Sequence, residues 1–215
     1  MSIASAIQQL KNELPSTVQL VAVSKFKPAS DILEAYRAGQ RAFGENRPQE
    51  LAAKAQELPA DIEWHFIGHL QTNKVKLVVP FTTLIHSVDS ERLLAEIDKT
   101  ASNLGRTVDI LLEIHIAKEA TKQGLSPDEA EVLAGRMAEF PHVRLRGLMG
   151  MATFTDDADQ VRREFHLLKT LFDRMSARIP GFNRLSMGMS EDWRIAVEEG
   201  TTLVRIGTFI FGKRN

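Results

Sequence analysis

Residues 20–28, LVAVSKFKP, predict a buried strand that is followed directly by a helix. An apolar, β-branched run of this length is typical of a parallel strand that is covered on both faces. We expect the strand over residues 17–25 and the helix from Pro28 to about Gly39, since proline favours the first turn of a helix. Lys25 then stands at the carboxyl end of the strand, where its amine is either solvated or in contact with a ligand.

The alternation of strand and helix continues along the whole chain of 215 residues. Seven further strands are expected over residues 41–44, 64–68, 83–88, 108–116, 143–151, 184–188 and 203–208. Eight strand–helix units with parallel crossovers predict an α/β fold, a single (β/α)8 TIM-type barrel that uses residues 1–215 as one domain. Ile3, Ile7 and Leu10 recur at helical spacing and predict an extra N-terminal helix. An open doubly wound sheet is the alternative, although no Gly-x-Gly-x-x-Gly follows the first strand.

Composition and charge narrow the classes of function. A net charge of −1 argues against a nucleic-acid surface. The absence of cysteine excludes disulfides, thiolate metal sites and cysteine nucleophiles, and suits a reducing compartment. Residues 1–16 do not resemble a secretory signal, and no apolar run is long enough to cross a bilayer. We therefore expect a cytoplasmic protein that binds neither nucleic acid nor membrane.

The segments after the last two expected strands are typical of a phosphate site. TIM-type barrels bind ligands at strand ends, and they often bind phosphate after strands seven and eight. Ser190 is the expected N-cap of a helix over 191–199, whose N–H groups and dipole favour an anion. Gly207 lets the main chain approach a ligand, and Thr208 adds a hydroxyl. Each feature alone is more often an ordinary cap or turn, but together they favour phosphate.

Arg205 is expected to point into the barrel, because strand alternation places it opposite Val204 and Ile206. A buried guanidinium needs an acceptor, which is either a structural carboxylate such as Glu113 or a heteroatom of a ligand. A lysine, a phosphate site and an arginine on one face suggest pyridoxal 5′-phosphate, whose aldehyde forms a Schiff base with a neutral lysine amine. Burial and neighbouring cations are expected to lower the pKa of Lys25 accordingly.

Two other classes of protein share part of this pattern. A phosphosugar lyase would also use a Schiff-base lysine and a phosphate site. A metal-dependent barrel hydrolase would use histidines that lie in or beside the expected strands, namely His65, His69, His86 and His115. The His-x-His usual on the first strand of such hydrolases is missing, so we expect no metal.

A set of motifs falls in order at the expected strand ends: VAVSKFKP, GENRPQE, WHFIGHLQTNK, SVDS, KQG, LMGM, LSMGMSEDW and VRIGTFIFG. From about residue 18 to 212 the chain resembles the pyridoxal phosphate homeostasis proteins, single-domain relatives of the alanine racemase barrel. The resemblance implies that Lys25 is the Schiff-base lysine and that Arg205 faces the pyridine nitrogen. It implies phosphate contacts at Ser190, Gly207 and Thr208, and it places Asn46 and Met187 near the cofactor.

The resemblance also implies a role. A protein of this family would hold pyridoxal phosphate, supply or buffer it for apo-enzymes, and affect amino-acid balance. Lys27, Lys122 and Lys213 are candidates for a relay that passes the cofactor on. Three departures from the family pattern stand out: Phe26 where threonine is common, Arg47-Pro48 inside the GEN…QE motif, and His115 where asparagine is common.

Catalysis is not expected from these residues. Racemisation needs one base on each face of the substrate carbon, or one base that reaches both faces. Racemases of this barrel fold supply a tyrosine opposite the lysine, but Tyr36, the only tyrosine here, lies in the first expected barrel helix. A guanidinium keeps its proton, so Arg205 leaves the ring a weak electron sink. We expect a binding protein, with a pyridoxal phosphate-dependent amino-acid racemase of low activity as the alternative. We also expect a monomer, because the chain has no room for the second domain of the racemases.

Overall fold

The computed structural model describes residues 2–119 and 123–212, and in it eight parallel strands close into one barrel. The strands are β1 (Gln19–Val23), β2 (Ala42–Glu45), β3 (Glu63–Phe66), β4 (Leu84–Val88), β5 (Val108–Ile114), β6 (Val143–Gly150), β7 (Arg184–Ser186) and β8 (Leu203–Ile206). The helices are α1 (Ile3–Glu13), α2 (Ala29–Arg37), α3 (Pro48–Glu57), α4 (Val75–Val78), α5 (Glu91–Asn103), α6 (Pro127–Gly135), α7 (Ala158–Ser176), α8 (Trp193–Glu198) and α9 (Thr208–Phe211). The expected TIM-type barrel with an extra N-terminal helix is confirmed.

The barrel closes where its first and last strands pair. Val21 of β1 lies opposite Arg205 of β8, and Ala22 lies opposite Ile206. On its other side β1 pairs with β2, so that Val23 lies opposite Gly44. The ends of β8, β1 and β2 are therefore neighbours on one face of the barrel. Within the described residues, no helix is long and apolar enough to cross a membrane.

Two apolar clusters hold the barrel together. The larger one lies between the strands and the surrounding helices. The smaller one fills the interior with Val21, Ala42, Leu84, Leu111, Met149 and Leu203. Successive strand residues point to opposite faces, so Glu113 and Arg205, each two positions beyond an interior leucine, also point inward. Both are buried, and they form part of a polar layer above the apolar interior.

A bulge in β6 brings Met149 into that interior cluster. The pairing of β5 with β6 passes from Ile110–Leu145 to Leu111–Gly147, so β6 contains one extra residue. The extra residue reverses the alternation, so Leu145 and Leu148 both lie in the outer cluster while Met149 points inward. Gly147 is required there, because an added Cβ would lie 1.7 Å from the carbonyl oxygen of Arg184.

Several expected boundaries were wrong. β1 ends at Val23, so Lys25 lies in a turn rather than in the strand, and β5 ends at Ile114. The eighth strand ends at Ile206, and Thr208 begins the short helix α9 instead of closing the strand. Gly188 explains the early end of β7, because its φ of 94° does not fit a strand.

Candidate functional site

Lys25 lies in the turn between β1 and α2, at the carboxyl-end mouth of the barrel, and is half-buried. The turn is closed by a hydrogen bond from the N–H of Lys27 to the carbonyl of Ser24, at 3.0 Å. Phe26 has a φ of 63°, a left-handed conformation that bulky residues rarely adopt. The guanidinium of Arg47 lies 4.3 Å from the centre of the Phe26 ring, so two of the three family departures contact each other. The expected lowering of the Lys25 pKa stays a prediction.

Arg205 points inward, as its place on the strand predicts. Its Nη1 donates to the carbonyl oxygen of Ser186 at 3.0 Å and to the Ser186 hydroxyl, and its Nη2 donates to the carbonyl of Gly150 at 3.2 Å. The residue is 4% exposed, and burial lowers its pKa to about 10, against the opposing charges of Asp192 and Glu113. Hydrogen bonds to neutral oxygens therefore orient this buried cation.

Glu113 is not the structural partner that the sequence suggested for Arg205. Among the ion pairs of the described residues, none joins these two side chains. Glu113 acts on Arg205 through its field alone, and burial together with the charge of Asp89 raises the pKa of Glu113 to about 7. A carboxyl group with this pKa changes its protonation state near neutral pH.

Two of the histidines considered as metal ligands form a buried hydrogen-bond chain that ends at Ser186, a hydrogen-bond partner of Arg205. His86 Nδ1 lies 2.9 Å from the Ser186 hydroxyl, and His86 Nε2 lies 2.9 Å from His65 Nδ1. Burial lowers the pKa of His65 to about 3 and that of His86 well below its ordinary value, so both rings are neutral. Among the described residues, no group of three His, Cys, Asp or Glu side chains could hold a metal ion.

The donor and acceptor roles in this chain follow from the guanidinium. Arg205 has no acceptor, so the Ser186 oxygen accepts from it and the Ser186 hydrogen is left to donate to His86 Nδ1. His86 then carries its proton on Nε2 and donates to His65 Nδ1. The donors in this series of hydrogen bonds all point the same way, from Arg205 through Ser186 and His86 to His65. The series therefore fixes the tautomers of both histidines.

Ser190 is not the N-cap that the sequence predicted. Helix α8 begins at Trp193 with Asp192 as its N-cap residue, because Met189 and Asp192 close a turn before it: the Met189 N–H donates to Asp192 Oδ1 at 2.5 Å. The Ser190 hydroxyl instead accepts from the N–H of Gly207 at 3.4 Å. Since α8 has six residues and α9 has four, any anion held here is bound by loop groups rather than by a long helix dipole.

Gly207 brings the end of β8 against the end of β1. An added Cβ would lie 3.0 Å from the carbonyl oxygen of Val23 and 3.1 Å from its Cβ, so a larger residue would force the two strand ends apart. Thr208 follows on the exposed surface of the mouth. Met187 is fully buried in the outer cluster, so a ligand contact at this position falls to its main chain.

Asn46 follows β2 and carries an unmet hydrogen-bond acceptor. Its Oδ1 is buried and has no partner within the part of the chain that the structure describes. The main chain of Asn46 also packs tightly on the third strand end, where an added Cβ on Gly68 would lie 2.4 Å from the Asn46 carbonyl oxygen. A buried acceptor without a donor is costly, so a ligand donor would be favourable at this position.

The structure thus gathers the expected site residues along one arc of the mouth. Lys25, Asn46 and Gly207 follow the adjacent strands β1, β2 and β8, and the Ser190–Gly207 hydrogen bond adds the loop after β7. Arg205 lies inside the barrel at the same end. Sequence reasoning missed a buried lysine next to this arc, Lys54 of α3, which is 7% exposed. One signal was available, because Lys54 lies on the apolar stripe of Leu51 and Leu58.

Comparison with protein families gives one match over the whole chain. The family described as "Alanine racemase, N-terminal domain" matches residues 1–215. Relatives named "Pyridoxal phosphate homeostasis protein" are of nearly the same length. The one from Vibrio alginolyticus is 39% identical over 213 residues, 97% of this chain and 91% of the relative. The one from Aquifex aeolicus is 41% identical over 198 residues, 91% of this chain and 87% of the relative.

Solved structures agree with the fold. PipY of Synechococcus elongatus PCC7942 is 40% identical and matches 98% of this chain and 100% of its own, with a TM-score of 0.93 without PLP and 0.90 with PLP bound. The alanine racemase of E. faecalis has a TM-score of 0.74 at 14% identity and matches 99% of this chain but 58% of its own, which shows a shared barrel alone.

Proposed function

We propose, from the premise that this chain belongs to the alanine racemase N-terminal domain family, that it binds pyridoxal 5′-phosphate for intracellular vitamin B6 homeostasis. In this proposal Lys25 holds the cofactor as a Schiff base, and the protein supplies or buffers it. The names of the full-length relatives and the PipY structure with PLP bound support it. An effect on amino-acid balance would follow from the supply to cofactor-dependent enzymes.

The residues at the mouth fit this cofactor. When bound, pyridoxal phosphate supplies an aldehyde that condenses with a lysine amine and releases water, and Lys25 is the lysine at the mouth assigned to it. Ser190, Gly207 and Thr208 would hold the phosphate through loop groups. Asn46 offers its unmet acceptor to the cofactor hydroxyl.

The observation that carries the proposal is the environment of Arg205. A buried guanidinium usually pairs with a carboxylate. The hydrogen bonds of Arg205 go to Ser186 and Gly150, which orient it without neutralising it. A pyridine nitrogen accepts one hydrogen bond through its lone pair and matches a donor of this kind.

The position of Tyr36 supports a binding role over catalysis. Its hydroxyl donates to Asp61 at 2.7 Å, and Arg41 stacks on its ring at 4.0 Å, both of which lie on the segments that precede β2 and β3. Tyr36 is therefore at the end of the barrel opposite to Lys25. No tyrosine faces the mouth to serve as the second base of a racemase.

One observation favours a racemase of low activity as the second candidate. Glu113 lies in the polar layer, and burial brings its pKa to about 7, which suits a general acid or base. The test is exchange of the Cα hydrogen of L-alanine in deuterated water with the holo-protein. Exchange that produces D-alanine and is lost in Glu113→Gln would establish this activity, and exchange no faster than that with free pyridoxal phosphate would exclude it.

Absorbance tests the binding proposal directly. Purified protein with pyridoxal phosphate is expected to show a band near the visible edge, and borohydride reduction followed by peptide mass spectrometry is expected to place the label on Lys25. Lys25→Ala is expected to lose both signals. A lyase of phosphosugars would instead cleave its substrate without added cofactor. An unlabelled Lys25 in protein that holds the cofactor would contradict the anchor.

Transfer to apo-enzymes is the finer part of the proposal. Lys27 donates to the carbonyl of Phe211 at 2.6 Å, so a relay through it requires this bond to break. Lys122 and Lys213, the other relay candidates, lie outside the described residues. Mixing holo-protein with a pyridoxal phosphate-dependent apo-enzyme tests transfer, and activation no faster than with free cofactor would contradict it. The expected monomeric state and cytoplasmic location are proposals that light scattering and cell fractionation test.

A further inference from the structure

A buried lysine is saturated by acceptors beside the turn that carries Lys25. Lys54 Nζ donates to the carbonyl of Ser24 at 2.9 Å, to Glu45 Oε1 at 2.8 Å and to Glu50 Oε1 at 2.9 Å. An ammonium group has three N–H donors, and all three are matched here. We call Lys54, Glu45 and Glu50 the lysine cage.

The cage is bonded to the residue on each side of Lys25. The Ser24 hydroxyl donates to Glu45 Oε1 at 2.5 Å, in addition to the bond between Lys54 and the Ser24 carbonyl. The N–H of Phe26 donates to Glu50 Oε1 at 2.7 Å. The main chain before and after Lys25 is therefore hydrogen-bonded to Lys54 and Glu50 of α3, and the Ser24 side chain is hydrogen-bonded to Glu45 of β2.

The turn needs such support because one of its residues is in an unfavourable conformation. Phe26 has a φ of 63°, and a side chain with a Cβ in the left-handed region is disfavoured unless the surroundings impose it. The bond from the Phe26 N–H to Glu50 is made in this conformation. The cage thus helps to keep the turn in a shape that it would otherwise leave.

Stability alone is a poor account of the cage. Burying charges costs about as much as their attraction returns, so a buried ion pair is weak evidence for stability. Fixing one conformation is the role that we consider for this cage instead. Glu45 is 0% exposed, and its Oε2 has no hydrogen-bond partner among the described residues. The protein therefore keeps a buried carboxylate that costs free energy. We relate this carboxylate to the conformation of the Lys25 turn, to which it is hydrogen-bonded.

We propose that Lys54 is a positioning residue which, through Glu45 and Glu50, holds the turn so that the Lys25 amine meets the cofactor aldehyde. The inference rests on the proposed function for the identity of the ligand. It goes beyond that function in assigning a role to three residues that are not among the proposed cofactor-binding residues.

The first test compares Lys54→Met with the matched surface variant Lys169→Met. Lys169 is half-exposed on α7, pairs with Asp173, and packs beside Gly200 before the start of β8, at the end of the barrel opposite to the mouth. Two quantities are measured: the rate at which pyridoxal phosphate is captured, by absorbance, and the hydrogen exchange of the Phe26 amide in the apo-protein, by NMR. Lys54→Met is expected to slow capture and to speed exchange by about tenfold each, the size expected for a lost charge-assisted hydrogen bond. Lys169→Met is expected to change neither by more than about twofold.

A second pair keeps the proposal testable if Lys54→Met fails to fold. Glu50→Gln retains an oxygen for the Phe26 N–H and is expected to capture cofactor within about threefold of the wild type, whereas Glu50→Ala is expected to lose about tenfold. Wild-type capture and wild-type exchange in both Lys54→Met and Glu50→Ala would overturn the proposal. A wild-type protein that captures no cofactor would refute the proposed function, while the exchange measurement would still decide whether the cage holds the turn.

Discussion

Replacement of Arg205 by methionine distinguishes the effect of the buried cation on stability from its effect on cofactor binding. The guanidinium is 4% exposed, and burial lowers its pKa to about 10. Its charge is retained in both the folded and the unfolded state below about pH 10, so the cost of burial is fully present at pH 7. The cost is relieved only as the pH rises through the folded pKa, because the folded protein then loses the proton first.

The cost of burying the Arg205 charge and the free energy of its hydrogen bonds are of similar size. At about 1.4 kcal/mol per pH unit, keeping Arg205 charged in the folded state costs about 3 kcal/mol. Methionine removes this cost and also removes three hydrogen bonds, to Ser186 and Gly150, at about 1 kcal/mol each. We therefore expect the unfolding free energy of the apo-protein to change by no more than about 1 kcal/mol, which is a change in Tm of about 2–4 °C.

Cofactor binding should respond very differently. At a pyridoxal phosphate concentration of 100 times Kd, the wild type is expected to gain about 2.7 kcal/mol, an increase in Tm of roughly 5–10 °C. Arg205→Met is expected to lose most of this gain, because the proposed donor to the pyridine nitrogen would be gone. Thermal unfolding followed by circular dichroism, with and without cofactor, measures both quantities. The exposed Arg144, which pairs with Asp109 on the outside, gives the control Arg144→Met.

Two results would refute this reasoning. If apo Arg205→Met lost more than about 4 kcal/mol, the arginine would be a structural residue whose hydrogen bonds outweigh its burial. If the variant kept the full increase in Tm on addition of cofactor, Arg205 would not hold the cofactor at all.

Three further changes have expected outcomes. Gly147→Ala places a Cβ 1.7 Å from the Arg184 carbonyl oxygen and is expected to cost at least about 3 kcal/mol in urea unfolding; an unchanged midpoint would show that β6 can lose its bulge. Gly207→Ala places a Cβ against Val23 and is expected to weaken cofactor binding about tenfold, as measured by fluorescence titration. An affinity equal to that of the wild type would contradict this prediction. His65 has a folded pKa of about 3, so below pH 6.5 the unfolded state takes up a proton that the folded state does not, and stability falls by up to about 1.4 kcal/mol per pH unit down to pH 3. His65→Gln should remove that share of the slope in denaturant series between pH 4 and 7, and identical slopes would contradict the buried neutral ring.

The fold was predictable because the signals for it are local and repeated. Each strand is a short apolar run followed by an amphipathic stretch, and this pattern identified all eight units. The inward direction of Arg205 was also predictable, because alternation along β8 opposes it to Val204 and Ile206, which both lie in the outer cluster. Boundaries were less accurate where a turn residue ends an element, as Gly188 does after β7.

Contacts between distant segments could not be derived from the sequence. Phe26 and Arg47 were recognised separately as departures from the family pattern, and only the fold shows the guanidinium over the ring. His65 and His86 are candidate metal ligands in the sequence, because the sequence alone does not distinguish a histidine that binds metal from one whose neutral ring is hydrogen-bonded. The N-cap prediction for Ser190 failed because helix α8 begins only at Trp193. Asp192 precedes it, and its carboxylate accepts the Met189 N–H rather than an N–H of the helix.

The closure of the barrel between β1 and β8 has a consequence for how the protein is made. Lys25 follows the first strand, whereas Arg205 and Gly207 belong to the last strand and the loop after it, and Val21 pairs with Arg205. A ribosome that has synthesised seven strands has therefore displayed the lysine without the residues that would orient a ligand beside it. We expect a growing chain to capture no cofactor until Thr208 has emerged and the ring has closed. Binding of pyridoxal phosphate would then distinguish the molecules in which β1 and β8 have paired from those in which the barrel is still open.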